Sequence, residues 1–340
     1  MVKLEKIRQN RREFIKAIGI GGAALFIDGL SFSFGEAKDI YPAEKITWII
    51  PVKPGGGMDM VARTIIPYLQ KALKEVVPQA KGGAVVAKNI PEAGGRRAYS
   101  TIFHAKPDGY TIGDFNTAFV TDSIIDKIDF DYTKYTFLVR TGVAERVVVA
   151  RKNTFKSWDE IMRVGKTKEL KMAASNFGRG YHVACILLKE ATKMPVRLIN
   201  FPGAAENMNA LMRGDVDLAM LTEESIKPLL DAGELKLLLW IAEKSPYPGV
   251  PSVADIGHPE LAEPLKLQRL VIGPPNLPKD VSDVLIKAFR KVLTNEKFIA
   301  QGKMINFQPE PLYGADAEKL AHKLFKYYQE QTPMLKKFLM

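Results

Sequence analysis

Short apolar runs rich in β-branched residues alternate along this chain with segments of helical periodicity, and glycine-rich turns separate several of them. In the first unit, Ile46–Ile50 has strand character, Pro54–Gly57 is a glycine-rich turn, and Asp59–Leu73 carries apolar residues at helical spacing. Further strand and helix segments follow in the same order. This alternation is typical of doubly wound sheets, so an α/β fold is predicted.

The length of 340 residues favours two domains, each with its own core. Long β-rich segments at Phe137–Arg140 and Arg146–Ala150 suit a chain that crosses from one domain to the other, and Leu267–Gly273 suits its return. The part beyond Pro278 is predicted to be mainly helical. We therefore expect two lobes, each a doubly wound sheet flanked by helices. Their predicted bounds are 38–140 with 269–340 for the first lobe and 141–268 for the second.

Residues 1–37 have the organisation of an export signal. Basic residues precede the apolar run Ala17–Ile27, which is too short for a spanning helix and matches the core of a signal peptide. The pair Arg11 and Arg12 resembles the twin-arginine signal, and the small residues of Gly35–Ala37 suit cleavage. The mature protein is expected to be a soluble monomer in the periplasm or another extracytoplasmic space.

Ligands of doubly wound sheets bind beyond the carboxyl ends of the strands, at loops that enter helix N-termini. The two most glycine-rich loops of this kind are 54–58 and 175–180. Backbone N–H groups and the helix dipole make such helix starts anion-binding sites, so two facing lobes are expected to enclose a small anion. Asn116 and Thr117 follow the predicted strand Tyr110–Gly113, and we interpret them either as lining this cleft or as a simple turn.

The net charge of +11 favours anionic partners, but the basic residues are scattered and no nucleic-acid motif accompanies them. Nucleic acid is therefore not expected as a partner. Cys185 is the single cysteine and lies in an apolar stretch, which predicts a buried helix residue. Because the four histidines are far apart, neither a metal site nor another cofactor is predicted.

Signatures of catalysis are missing from the sequence. Residues 54–60 have neither the G-x-G-x-x-G spacing of dinucleotide-binding loops nor the Lys-Ser/Thr pair of a P-loop. No hydrolase elbow, zinc-protease motif or C-x-x-C pair occurs. We expect a binding protein without catalytic activity, and an α/β enzyme with an anion-binding glycine loop is the alternative.

Tyr41–Arg63 resembles the opening of the Bug-type solute-binding receptors of tripartite tricarboxylate transporters. Members of this family begin with Tyr-Pro and an Ile-Val-Pro strand, followed by Pro-Gly-Gly, a nearby Asp, and Ala-Arg on the first helix. Further patches fall at the expected intervals, and the likeness spans nearly all of 41–340. These patches are Asn89–Gly95, Pro107–Thr111, Phe201–Asp217 and Ile272–Pro278.

The resemblance implies a type II periplasmic binding protein fold with a hinge and a ligand cleft between two lobes. It also implies an extracytoplasmic receptor that captures a small organic acid and delivers it to the membrane permease subunits of a secondary transporter. A receptor that reports its ligand to a membrane signalling protein is an alternative that the sequence does not separate from transport.

Family members hold a ligand carboxylate largely through backbone amides of the glycine loop, and the matching positions form the site that the resemblance implies. In the first lobe these are Pro54, Gly55, Gly56, Gly57 and Asp59. In the second lobe they are Asn176, Gly178, Arg179 and His182, with Gly203, Ala204 and Ala205 from the next turn.

Three positions depart from the family pattern: Met58 replaces a small hydroxyl residue, Arg179 replaces Ser, and Glu206 replaces Pro. A guanidinium suits bidentate carboxylate binding, so Arg179 is predicted to be a charged clamp. Glu206 at a helix start is interpreted as complementing the helix dipole. Asp59 and His182 are each interpreted either as helix-start residues or as ligand contacts.

Overall fold

Two β-sheets flanked by helices make up the part of the chain that the computed structural model describes, residues 40–125, 127–175, 177–178 and 180–340. The strands are β1 (Ile46–Ile50), β2 (Val85–Asn89), β3 (Thr111–Phe115), β4 (Thr136–Ala144), β5 (Arg146–Arg151), β6 (Leu170–Ser175), β7 (Val196–Phe201), β8 (Leu218–Thr222), β9 (Leu235–Ile241), β10 (Leu267–Gly273) and β11 (Pro309–Tyr313). The helices are α1 (Gly57–Val76), α2 (Arg96–Phe103), α3 (Asp122–Ile125), α4 (Trp158–Val164), α5 (Gly180–Thr192), α6 (Ala204–Arg213), α7 (Glu223–Asp231), α8 (Lys279–Leu293), α9 (Glu296–Met304), α10 (Ala315–Glu330) and α11 (Thr332–Leu339).

Both sheets share one strand arrangement. The first has the order β2-β1-β3-β10-β4-β11, and the second has the order β7-β6-β8-β5-β9. In each, the first three strands are parallel and the fourth is antiparallel to both of its neighbours. This repeated topology confirms the predicted two-lobed, doubly wound type II periplasmic binding protein fold.

The chain crosses between the sheets at strand ends. β4 ends at Ala144 and β5 begins at Arg146, so Glu145 alone connects them. The chain returns through residues 242–266 to β10, which lies between β3 and β4. The segments predicted to cross therefore lie in β4, β5 and β10, while the bounds proposed for the lobes stay a prediction.

The first sheet and its helices bury a continuous apolar layer. Trp48 of β1 is fully buried and packs edge-to-face on Phe289 of α8, with ring centroids 5.6 Å apart. α1 packs beside α8 and buries Val61, Ile65 and Leu69 in the same cluster, which accounts for the helical spacing of apolar residues in its sequence. This layer fixes the start of α1 at the edge of the sheet.

The C-terminal part contains a strand that sequence reasoning missed. Pro309 and Pro311 weaken the strand pattern of β11, but proline is tolerated at a sheet edge, where β11 pairs with β4. The prediction that Cys185 is buried is confirmed.

The proposed export signal, residues 1–37, lies outside the described residues. Its cleavage and its export route therefore stay predictions. Within the described ranges, no helix combines the length and the apolar character needed to span a bilayer.

Candidate ligand-binding site

The glycine-rich loop after β1 leads directly into α1. Gly56 is the N-cap residue of this helix and has no side chain, so the N–H groups of the first turn receive no side-chain cap. Of the three glycines only Gly55 has a left-handed φ, at +85°, whereas Gly56 has φ −76°, which any residue adopts. Pro54 and Gly55–Gly57 are exposed. The loop therefore leaves the helix start open to an anion.

Asp59 holds this loop in shape. It is 2% exposed, and its carboxylate accepts hydrogen bonds from Gly55 N–H (2.9 Å), Arg63 Nε (2.9 Å) and Asn89 Nδ2 (2.8 Å). Burial acts to raise the pKa of Asp59, but the hydrogen bonds from Arg63, Gly55 and Asn89 outweigh it and hold the pKa below its usual value. The carboxylate is thus engaged within the loop, and a direct contact of Asp59 with ligand stays a prediction.

The loop before α5 is also held by a hydrogen bond from a glycine N–H to a side chain in the first turn of the following helix. The N–H of Gly178, a residue with φ +74°, donates to His182 Nδ1 at 2.8 Å. The His182 ring lies beside Phe177, with ring centroids 4.9 Å apart. Burial lowers the pKa of His182 to about 4, so the ring is neutral at pH 7 and accepts at Nδ1. The predicted contacts Asn176 and Arg179 lie outside the described residues, so their roles stay predictions.

The segment after β3 meets this second loop from the other lobe. The Thr121 hydroxyl donates to the Gly178 carbonyl at 3.1 Å. Asn116 and Thr117, at the start of the same segment, are buried. The segment that begins with Asn116 and Thr117 therefore contacts the second loop through Thr121, and a role of Asn116 and Thr117 in lining the cleft stays a prediction.

The third predicted loop carries its own negative charge. Gly203 is the N-cap residue of α6, and Glu206 lies in the first turn of this helix. Glu206 Oε2 is 2.8 Å from the position that a Cβ on Gly203 would take, so its carboxylate folds back over the helix start. This agrees with the dipole-complementing interpretation of Glu206. Because this carboxylate repels other anions, the loop at Gly203, Ala204 and Ala205 is the least suited of the three loops to bind an anion.

Two buried arginines stand where the chain crosses between the sheets, and sequence reasoning missed both as site residues. Arg146 begins β5, is 1% exposed, and donates from Nη1 to the Leu265 carbonyl at 2.7 Å. Its guanidinium lies 5.0 Å from the ring centroid of Tyr181. Among the described residues, Nε and Nη2 of Arg146 have no hydrogen-bond partner.

Arg269 lies in β10 and is 4% exposed. Its chain neighbour Leu270 pairs with Phe115, the last residue of β3, so the antiparallel register places Arg269 just beyond the carboxyl end of β3. Nη2 pairs with the carboxylate of Glu224, whereas Nε and Nη1 lack a partner within the described part of the chain. A charged residue in an otherwise apolar strand is the sequence signal that could have identified both arginines.

Glu224 links the second lobe to the glycine loop of the first. It lies in the first turn of α7, and its Oε1 is 3.5 Å from the position that a Cβ on Gly57 would take. Arg269 Nη2 is 3.9 Å from that same position. A carboxylate, a guanidinium and an uncapped helix start therefore meet at one point between the lobes.

Further buried polar groups lie at the facing sheet edges. Ser175 ends β6, Thr117 follows β3, and Asn207 lies in the first turn of α6. All three are buried, and in the described ranges no hydrogen-bond partner is found for the hydroxyls of Ser175 and Thr117 or for the amide of Asn207. Buried polar groups normally have partners, so these groups are suited to bind a polar ligand in the cleft.

Two sheets that share the arrangement of five strands are joined by crossover strands and carry helix starts and buried charges between them. These features define the class of two-lobed periplasmic solute-binding proteins. Within this class, the chain belongs to the receptor family of tripartite tricarboxylate transporters. Residues 69–337 match the family described as "Tripartite tricarboxylate transporter family receptor". The match confirms the family that the sequence resembles.

Individual relatives are distant. A UPF0065 protein of Bordetella pertussis is 28% identical over 269 residues, which cover 77% of this chain and 80% of that protein. The solved structure of the periplasmic binding protein BugD has a TM-score of 0.70 at 24% identity and covers 87% of this chain and 98% of its own. MatC from Rhodopseudomonas palustris, solved with bound malate, has a TM-score of 0.68 at 21% identity and covers 88% and 100%. At these identities, the solved structures show the shared fold.

Proposed function

We propose that this protein is an extracytoplasmic receptor that captures a small carboxylate-bearing molecule between its lobes and delivers it to the permease subunits of a tripartite tricarboxylate-type membrane transporter. Family membership supports the receptor role. The malate bound to MatC is a dicarboxylate and supports the ligand class. The observation that carries the proposal is the pair of buried, incompletely bonded guanidinium groups of Arg146 and Arg269.

The charges around these arginines leave room for a ligand anion. Buried charge is costly unless it is paired, and among the described residues Glu224 is the one carboxylate that forms an ion pair with either guanidinium. Asp114 also interacts with Arg269, but burial raises the pKa of Asp114 well above its usual range and so disfavours its charged form. Two other carboxylates near the crossover are engaged elsewhere: Glu145 pairs with Lys266 at 3.3 Å, and Glu310 pairs with Arg140 at 2.7 Å. A ligand carboxylate would neutralise the excess positive charge and fill the planar donor fork of a guanidinium.

Neutral groups would complete the site. The uncapped N–H groups at the start of α1 favour an anion without adding a counter-charge. The hydroxyls of Thr117 and Ser175 and the amide of Asn207 would bind the uncharged polar parts of the ligand. Arg179, which the sequence predicts as a clamp, remains part of the proposed site in the second lobe.

The proposed action is binding and release without catalysis. Two lobes joined by crossover strands are suited to close over a ligand by hinge motion and to open for delivery. The twin-arginine leader proposed for residues 1–37 would carry the folded protein out of the cytoplasm. Delivery to a transporter is preferred over signalling because the receptor family is named for tripartite transporters.

The test begins with mass spectrometry of small molecules released on denaturing the purified protein, followed by calorimetry with malate and matched mono- and dicarboxylates. We expect one carboxylate bound per chain and no chemical conversion. Arg269→Gln should weaken binding roughly 10- to 100-fold, because a hydrogen bond to a charged group contributes about 1.5–3 kcal/mol. Arg163→Gln is the matched control, since the Arg163 side chain is 76% exposed in α4.

Transport is tested in vesicles that contain the permease subunits of a tripartite tricarboxylate-type transporter. Uptake of the identified ligand should require the receptor, and Arg269→Gln should reduce uptake at ligand concentrations near the wild-type Kd. A protein that binds no carboxylate, or that converts its ligand, would contradict the proposed function. Carboxylate binding without receptor-dependent uptake would favour the signalling alternative.

A further inference from the structure

We infer that Glu224 is a built-in substitute for the ligand carboxylate: it holds Arg269 at the start of α1 in the free protein, and an incoming carboxylate displaces it. The inference rests on the proposed function and deepens it. In this inference Arg269 binds the ligand carboxylate, and Glu224 lowers the affinity for every carboxylate because it competes for Arg269. The ligand class is a small molecule with at least one ionised carboxylate.

The position of Glu224 carries the inference. Its Oε1 lies 3.5 Å from where a Gly57 Cβ would be, and the only side-chain cation that the described residues pair with it is Arg269. This is the place where an uncapped helix start and a buried guanidinium together favour an anion. The carboxylate of Glu224 therefore lies where the start of α1 and the guanidinium of Arg269 would bind a ligand carboxylate.

The two groups that Glu224 joins lie on different parts of the fold. Glu224 comes from the second sheet's helix α7, whereas Gly57 begins α1 of the first and Arg269 belongs to the crossover strand β10. The side chain of Asn306 also donates to the Glu224 carbonyl, at 3.4 Å. Opening of the lobes would withdraw Glu224 from Arg269 and expose the guanidinium to an entering ligand. When the lobes close, the ligand carboxylate and Glu224 would compete for the guanidinium of Arg269.

The exchange of Glu224 for a ligand carboxylate at Arg269 would make the site selective for ligands that form additional contacts. Replacing one carboxylate by another at Arg269 conserves the charge of the cleft, so only additional contacts of the ligand contribute net affinity. Simple anions such as chloride or acetate gain little from the exchange. A larger carboxylate that also reaches Arg146 or the polar groups at Thr117, Ser175 and Asn207 gains more.

The first experiment is calorimetry with malate on the wild type and on Glu224→Gln. Gln keeps the size of the side chain but removes the competing charge, so affinity for malate should rise roughly tenfold or more, and acetate should gain at least as much. Glu234→Gln removes the same charge from an exposed position in the second lobe and should leave both affinities unchanged. Thermal unfolding checks that each variant is folded.

Glu224→Asp provides a second variant in case Glu224→Gln does not fold. The shorter side chain keeps the charge but withdraws it from Arg269, so we expect a smaller rise in affinity. Unchanged or weaker carboxylate binding in both variants would overturn the inference, because Glu224 would then be a structural pair or a direct ligand contact. If neither the wild type nor the variants bind any carboxylate, the proposed function fails instead, so the two failures are distinguishable.

Discussion

The carboxylate of Asp59 accepts a 2.9 Å hydrogen bond from the backbone N–H of Gly55, four residues before it. In the other lobe, His182 accepts a 2.8 Å hydrogen bond from Gly178, again four residues before it. Both glycines have positive φ, and both acceptors lie in the first turn of a helix that follows a parallel strand. The two lobes thus shape their cleft-facing loops by the same local device with chemically different acceptors.

This device predicts different costs for neighbouring glycines. Gly55→Ala places a Cβ at φ +85°, where no atom lies within 4 Å, so its cost is backbone strain alone. We expect a loss of about 1 kcal/mol in the free energy of unfolding and weaker ligand binding, because the turn that positions the start of α1 is strained. Urea unfolding and calorimetry measure both effects.

Gly56→Ala is the matched control, because Gly56 has φ −76° and a Cβ there would meet Lys53 O at an ordinary 3.7 Å. It should change the free energy of unfolding by less than about 0.5 kcal/mol. Equal costs at the two positions would show that the positive φ of Gly55 is not what the loop depends on.

The fold could be predicted from the sequence because most strands and helices have a recognisable local sequence pattern. β1 reads as a short apolar strand, α1 as an amphipathic helix, and the glycines between them as a turn. β11 was not accessible, since Pro309 and Pro311 oppose strand propensity and only pairing with β4 supplies its hydrogen bonds. Its existence depends on tertiary context that no local pattern contains.

The site was accessible only in part, for a related reason. The glycine loops are contiguous in sequence, so Gly55–Gly57 and Gly178 could be predicted as site residues, and their contact with ligand stays a prediction. Arg146, Glu224 and Arg269 are far apart in the chain. Strand register places Arg146 opposite Thr222, two residues before Glu224, and Glu224 pairs with Arg269 of the other sheet. A lone arginine in an apolar strand indicates a buried charge, but its partner is identified only by the register.

The neutral state of His182 predicts how stability depends on pH. The pKa of a histidine in the unfolded chain is about 6.5, and burial lowers the pKa of His182 to about 4. Below pH 6.5 the unfolded chain binds a proton that the folded protein does not, so stability should fall as the pH drops from about 6.5 to about 4. Allowing for partial solvent access, we expect a loss of about 2 kcal/mol across this window.

His182→Asn tests this dependence, because the Asn carbonyl oxygen can still accept from Gly178 N–H but does not titrate. The free energy of unfolding should then vary less between pH 6.5 and 4, as measured by urea unfolding at fixed ionic strength. His104→Asn changes an exposed histidine and should keep the wild-type slope. A wild-type slope in His182→Asn would assign the pH dependence to other groups.

Arg146 predicts a conflict between stability and binding. Its buried guanidinium makes one hydrogen bond, to the Leu265 carbonyl, and stacks on Tyr181, while two of its nitrogens have no partner in the described ranges. Replacing a buried, poorly paired charge by an apolar side chain of similar size is often neutral or stabilising, even when about 1 kcal/mol of hydrogen bonding is lost. Arg146→Met should therefore leave the ligand-free protein as stable as the wild type or more stable by about 1 kcal/mol.

The same substitution should lower affinity for malate at least tenfold, because the ligand loses a charged donor, so added malate should raise the melting temperature of Arg146→Met less than that of the wild type. Urea unfolding without ligand and calorimetry with malate separate the two effects. If Arg146 were instead a structural residue with a partner inside the fold, its removal would destabilise the free protein by about 3–5 kcal/mol, as breaking a buried ion pair does. An arginine that serves the ligand gives a different result: the free energy of unfolding of the ligand-free protein is unchanged or higher, and affinity for malate falls. This combination is expected because the unfavourable burial of the guanidinium is offset only when the anion binds.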